Sequence, residues 1–147
     1  VGAPTWIAGK QDAVGGIKLP ADPQLGAASV SQGFAPVPQW SDRGQVYRMG
    51  EHSCVPFECF EEVMIMDEFN LEEPGAIQLK YYAPDVGQVR VGFRGNDIKP
   101  EILELVDLKQ LDANEMDEAR TSALELEKRA HKDHIDVFGE TPLAESR

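Results

Sequence analysis

Basic residues are scarce in this chain. Lysine and arginine number 14 against 26 aspartates and glutamates, for a formal charge of −12 and a pI near 4.6. A field of that sign repels phosphate backbones, so nucleic acid is not expected as a partner. It also opposes adsorption to anionic membrane surfaces. Cations and basic protein surfaces are the partners it permits, and the plainer reading of the acidity is solubility outside the cell. Long apolar runs are missing too, and nothing approaches the roughly 20 residues that a spanning helix requires, so no transmembrane segment is expected. The opening Val1-Gly2-Ala3-Pro4 has neither a basic residue nor an apolar stretch. A signal peptide is therefore not read there, and an exported chain would have lost its signal or would carry it upstream. Catalytic signatures are lacking as well: there is no G-x-S-x-G, no glycine-rich phosphate loop and no H-E-x-x-H. His52, Ser53 and Cys54 are consecutive, and neighbours on a strand point to opposite faces, so adjacency makes no nucleophile–base pair. Paired carboxylates are expected by number alone. The expectation is a protein that is not an enzyme and needs no cofactor.

Cysteine is limited to Cys54 and Cys59, around Val55-Pro56-Phe57-Glu58. Structural zinc wants four ligands, so a C-x4-C pair without two further cysteines or a nearby pair of histidines is a poor zinc site. The spacing is also not the C-x-x-C of thiol–disulfide oxidoreductases. A local disulfide suits it better, because Pro56 can turn the chain and bring the Cα atoms within the roughly 4.4–6.8 Å that bridging needs. So short a loop removes little unfolded-state entropy, and the bridge would shape a hairpin more than stabilise the domain. On the residues alone, two reduced and buried cysteines remain the alternative.

What is present points to a mainly β fold, an antiparallel meander sheet with one long C-terminal α-helix. The 147 residues leave room for one domain with a real core. Gln78 to Phe93 reads as strand, turn, strand around Ala83-Pro84-Asp85-Val86-Gly87, with Pro84 at the first corner and Gly87 free to take positive φ. Val89, Val91 and Phe93 alternate with Gln88, Arg90 and Arg94, the period of a half-buried strand. Residues 51–108 are read as the sheet. It holds a strand over Val63–Glu68 that is apolar on both faces at its centre and buried on both sides or beneath the C-terminal segment. A turn over Asn70–Gly75, the two strands around Pro84 and a closing strand over Ile102–Leu108 follow. Residues 1–50, rich in glycine and proline, are read as loops and short strands, with Phe34–Trp40 an edge or a covering loop. Residues 112–138 are read as an amphipathic helix opened by the capping box Asp112…Glu115, and 139–147 as a tail. Its stripe is Met116, Ala119, Ala123, Leu126 and Ala130. Packing on its own sheet is the favoured use of that stripe, and pairing with a helix of another chain is the sharper one.

The central hairpin also carries a resemblance. Lys80-Tyr81-Tyr82-Ala83-Pro84, Val86-Gly87 and Val89 resemble the "KYYAPGVGxV" signature of an uncharacterised family of bacterial secreted proteins and lipoproteins. Glu72-Glu73-Pro74-Gly75 is similar to the "LEPG" that leads into it. Trp6-x-Ala8-Gly9 and Gly16-Ile17-x-Leu19-Pro20-Ala21-Asp22-Pro23 look like the family's "W-x-AG…PGI-x-MPA-x-P", and Leu103–Val106 resembles its closing strand. The likeness covers most of residues 5–107. Asp85 stands where the family usually has glycine. The resemblance implies a secreted, periplasmic or cell-surface antiparallel β-domain of unknown activity, with no catalytic residue to carry over. It favours the oxidised Cys54–Cys59 pair. It also implies strands ahead of Val1, without which the sheet would have an open edge.

Candidate sites are few. His131 and His134, one helical turn apart with Asp133 and Asp136 nearby, can share a metal, with His52 a conceivable third ligand; two surface histidines are the plainer reading. Asp67, Glu68, Glu72 and Glu73 supply oxygens for Ca²⁺ but lack a D-x-D-x-D-G loop, so a solvated turn is the simpler account. Two functions follow. One is a structural or protein-interaction subunit of an assembly, with another chain or a second copy as partner, engaged through a sheet edge and the alanine-rich helix. The other is a binding module for an apolar small molecule or lipid in a half-barrel cavity, lined by Trp40, Met64, Met66, Tyr81, Tyr82 and Phe93.

Overall fold

Around Pro84 the chain turns as its composition dictates. Pro84 takes the first corner, Asp85 has φ 60° and Gly87 φ 101°, and the Val86 N–H donates to the Ala83 carbonyl at 3.4 Å. Proline at the first corner and positive φ at the second is the pattern of a type II turn. Aspartate enters the left-handed region more readily than most side chains. The structure, a computed structural model, describes residues 6–98, 100–139 and 141–145. Val1, and any sheet edge argued from it, lies outside the described residues.

Seven strands follow one another: β1 (Val14–Gly15), β2 (Val30–Ala35), β3 (Trp40–Cys54), β4 (Cys59–Phe69), β5 (Ala76–Ala83), β6 (Gly87–Gly95) and β7 (Leu103–Glu104). Each pairs antiparallel with the next, so the spatial order is the chain order and the sheet is an open meander. Two helices, α1 (Ala113–Asp133) and α2 (Ile135–Phe138), come last.

The region read as loops and short strands contributes β1, β2 and most of β3, which runs without a break through position 50. Its prolines do not interrupt strands: Pro36-Val37-Pro38-Gln39 is the turn between β2 and β3, with Gln39 at φ 53°. Periodicity hides these strands because glycine takes positions where an apolar side chain would announce them. Gly33 is buried, and a Cβ there would stand 2.8 Å from the rings of Trp6 and Trp40. Those rings lie 5.2 Å apart and fill the space.

Register assigns the faces. Ile65, Tyr81 and Arg90 lie side by side across β4, β5 and β6, as do Asp67, Leu79 and Gly92; Met66, Lys80 and Val91 share the opposite face. The first face holds the main core, in which Val55, Phe60, Val63, Ile65, Leu79, Ala83 and Val89 pack together with Tyr47, Phe57 and Leu105 against them. Val63 is fully buried, and on the second face Met66 and Val91 are almost so. β4 is thus buried on both sides at its centre.

The cover is the sheet itself. Register shifts after Val46, Arg48 and Glu51 mark bulges in β3, which bend a strand and raise its twist. The β3–β4 tip consequently reaches over the first face, where the Phe57 N–H donates to the Leu105 carbonyl at 3.1 Å while the Leu105 N–H donates to Val89 at 2.9 Å. The closing strand is therefore shorter than Ile102–Leu108: only Leu103 and Glu104 pair regularly, opposite Val91 and Arg90. Leu105 is diverted to hold the hairpin tip.

The C-terminal helix corrects the favoured reading of its stripe. The Asp112–Glu115 capping box forms in both directions, with Asp112 Oδ1 accepting from the Asn114 and Glu115 N–H groups at 2.8 and 2.9 Å. Yet α1 has no buried residue and lies against α2 and none of the strands. It also ends earlier than read, at His134 (φ −132°), before the short α2. The Ala144 N–H folds back to the Glu127 carboxylate at 3.0 Å.

Candidate functional site

Two surfaces carry more apolar area than a solvated face requires. The first is the edge beyond β6. Its regular pairing with β7 is limited to Arg90 and Val91, so among the described residues Gly92–Gly95 have no strand on their outer side. In the segment that follows, Ile98 is 93% exposed, Ile102 59%, Leu103 54% and Val106 72%. These side chains recur too densely in one short stretch to be isolated surface residues. The second surface is α1, where, of the stripe, Met116, Ala119, Ala123 and Leu126 are exposed and Ala130 is half-buried. The stripe read from the sequence therefore exists and faces water. Among the described residues, the opposite edge strand, β1, is Val14–Gly15.

A groove of about 750 Å³ opens on the second face, bordered by Trp40, Asp42, Glu68, Glu73, Gln78 and Glu101 among others. Glu68, 7% exposed, is held by Lys18, by Lys80 Nζ at 3.7 Å and by Gln32 Nε2 at 2.9 Å. Burial, and then the Glu68 charge, push the Asp42 carboxyl above its ordinary range. The same two causes push the Tyr82 phenol up to about 12, and among the described residues its buried oxygen has no hydrogen-bond partner. Net negative potential beside an indole ring suits a cationic or flat amphipathic ligand.

Of the six residues read as lining an apolar cavity, Met64 and Tyr82 stand directly opposite each other and share the second face with Met66, but the six do not all line one groove. Met66 is core, Tyr81 faces the Arg90 side of the sheet with that guanidinium 5.3 Å from its ring, and of the six only Trp40 borders the groove. The acidic run likewise divides. Asp67 pairs in two-pronged fashion with Arg94 on the first face (Nε to Oδ1 3.0 Å), Glu68 binds the lysines on the second, and Glu72 accepts from Ser41 at 2.7 Å. The Glu73 N–H is taken up by Asn70 Oδ1 at 2.7 Å, in the turn. Asp67 and Glu68 are thus buried rather than solvated. The alternation along β4, which sets Asp67 on the face of Val63 and Ile65 and Glu68 on that of Met64 and Met66, is the sequence signal that separates these two carboxylates.

His131 and His134 both lie at the C-terminal end of α1. His134 caps α1, and the His131 ring lies 6.1 Å from that of Phe138. Among the described residues, no third ligand-bearing side chain joins them in a metal-sized cluster. His52 is elsewhere, with Nε2 3.7 Å from Cys54 Sγ on the exposed face of the β3–β4 hairpin. Cys54 and Cys59 are joined as a disulfide between directly opposed residues, with Cα atoms 3.9 Å apart. Such bonds persist in oxidising compartments. No described helix is long and apolar enough to cross a membrane. Set against protein-family models, curated proteins and solved structures, the chain has no match.

Proposed function

We propose that this chain is a non-enzymatic secreted or cell-envelope protein that serves as an interaction subunit, docking on another polypeptide through the β6–β7 edge and α1. The family whose hairpin Lys80–Val89 resembles is its proposed home. The observation that carries this reading is α1 itself: 21 residues with a complete capping box, an apolar stripe, and no packing on the sheet. Helices in proteins draw most of their stability from packing an amphipathic face, and α1 packs its stripe on no strand of this chain. The exposed apolar side chains from Ile98 to Val106 lie beside unpaired strand, the arrangement that strand addition uses. With a formal charge of −12, the partner is expected to present a basic surface rather than to be a second copy. Native mass spectrometry of material taken undenatured from its source tests this. A mass of this chain plus a different polypeptide supports it, and a single chain carrying only a few hundred extra daltons sinks it.

The groove beside Trp40 favours a second reading, a small-ligand module. Its acidic rim moves the expected ligand from an apolar molecule towards a cationic amphiphile.

A further inference from the structure

We propose that reduction of Cys54–Cys59 converts the β3–β4 hairpin tip into a binding site for a thiophilic divalent ion, zinc in the first instance. The ligand atoms of His52, Cys54 and Cys59 all lie within 4.8 Å of one another. The hairpin explains why. His52 and Cys54 are alternate residues of β3 and share a face, and Cys59 stands directly across from Cys54. The His52 Nε2 to Cys54 Sγ distance is 3.7 Å. With zinc–sulfur near 2.3 Å and zinc–nitrogen near 2.0–2.1 Å, a tetrahedral centre needs nitrogen and sulfur about 3.5 Å apart. Imidazole and sulfur are therefore already one tetrahedral edge apart, and the second sulfur has only to swing out to about 3.8 Å from the first. Glu61, the next outward residue on β4 with Oε1 3.7 Å from His52 Nε2, borders the fourth position.

The hairpin does not depend on the bridge to keep these groups together. The Val55 N–H donates to the Glu58 carbonyl at 3.0 Å, the Phe57 N–H is bound by Leu105, and Val55 and Phe60 are buried in the core. All three ligands are exposed, so a reductant and an ion both have access. The balance is simple. A dithiol donor delivers two electrons and two protons, the sulfur–sulfur bond breaks to two thiols, and the donor becomes a disulfide. The ion then displaces both thiol protons, and two thiolates neutralise its charge while neutral imidazole completes the protein's set. Zinc suits sulfur and nitrogen ligands of this kind.

The full chain, reduced with a phosphine, desalted without air and titrated with Co²⁺ and then Zn²⁺, tests the site. One Co²⁺ per chain with a thiolate-to-cobalt absorption band, displaced by Zn²⁺, is expected for the reduced chain, and no band for the oxidised one. His52→Ala, at an exposed position, leaves the fold intact and is expected to weaken Co²⁺ binding about tenfold or more. His134→Ala is expected to change nothing. A reduced chain without the thiolate band overturns the proposal, as does His52→Ala binding as tightly as its parent or His134→Ala losing as much.

Discussion

A carboxylate buried in a sheet has to find a cation, and Asp67 and Glu68, adjacent in sequence, find theirs on opposite faces. Asp67 receives both prongs of Arg94, whose guanidinium also lies 4.7 Å from the Tyr47 ring. Asp67→Asn keeps the shape and removes the charge. It is expected to lower stability by about 2 kcal/mol, the scale of hydrogen bonds to charged groups, read as a lower urea midpoint at pH 7. Asp42 is the opposite case. Its pKa in the folded state is raised, chiefly by burial and then by Glu68, so the folded chain holds that proton more tightly than the unfolded chain does. What Asp42 contributes is therefore in place below the unfolded pKa and lost as pH rises through the folded one. Asp42→Asn is expected to raise the urea midpoint at pH 7 and leave it nearly unchanged at pH 3. A midpoint that falls at pH 7 would mean that Lys18 and Lys80 outweigh the burial.

At the scale of elements, the sheet and α1 are stabilised by separate sets of interactions. The sheet closes over its own core through the bulged β3 and the Phe57–Leu105 contact, whereas α1 rests on its cap and its backbone. Asp112→Ala removes the acceptor for two N–H groups and is expected to cost about 1 kcal/mol of helix stability. Because α1 packs on no strand, circular dichroism should lose helical signal while the sheet's unfolding midpoint stays put. A midpoint shift as large as the helical loss would show that α1 and the sheet unfold together. The elements also show where sequence reading succeeds. The β5–β6 hairpin and the capping box were legible because each is set by residues within a few positions of one another. β2 and the first half of β3 were not, since Gly33 and Gly44 stand where apolar side chains would have marked the period, and distant side chains fill the space instead, the Trp6 and Trp40 rings at Gly33 and Gln32 and Met66 at Gly44.

For the whole molecule, the acidic charge and the exposed edge act together. In the proposed role, charge of one sign would discourage two copies from meeting and steer a basic partner towards the exposed apolar strip. Ile102→Asp with Val106→Asp, both at exposed positions, is expected to leave the urea midpoint within about 0.5 kcal/mol of the parent and to abolish co-purification of the partner chain. Raised ionic strength should slow association of the parent protein, since exposed charges are screened over about 10 Å at 0.1 M salt. Co-purification that survives both substitutions would move the contact to α1, where Met116 and Leu126 stay exposed.

By itself the sequence determined the class of the fold, the turn at Pro84, the bridge spacing and the helix start. Period, φ preference and capping act over a few residues and need no distant partner. Only the tertiary structure decided which cation each carboxylate meets, what covers the core and where the helix goes. Those outcomes depend on register and on bulges in β3, which bring Phe57 to Leu105 across nearly fifty residues of chain. α1 packs on none of the strands, and its stripe faces water.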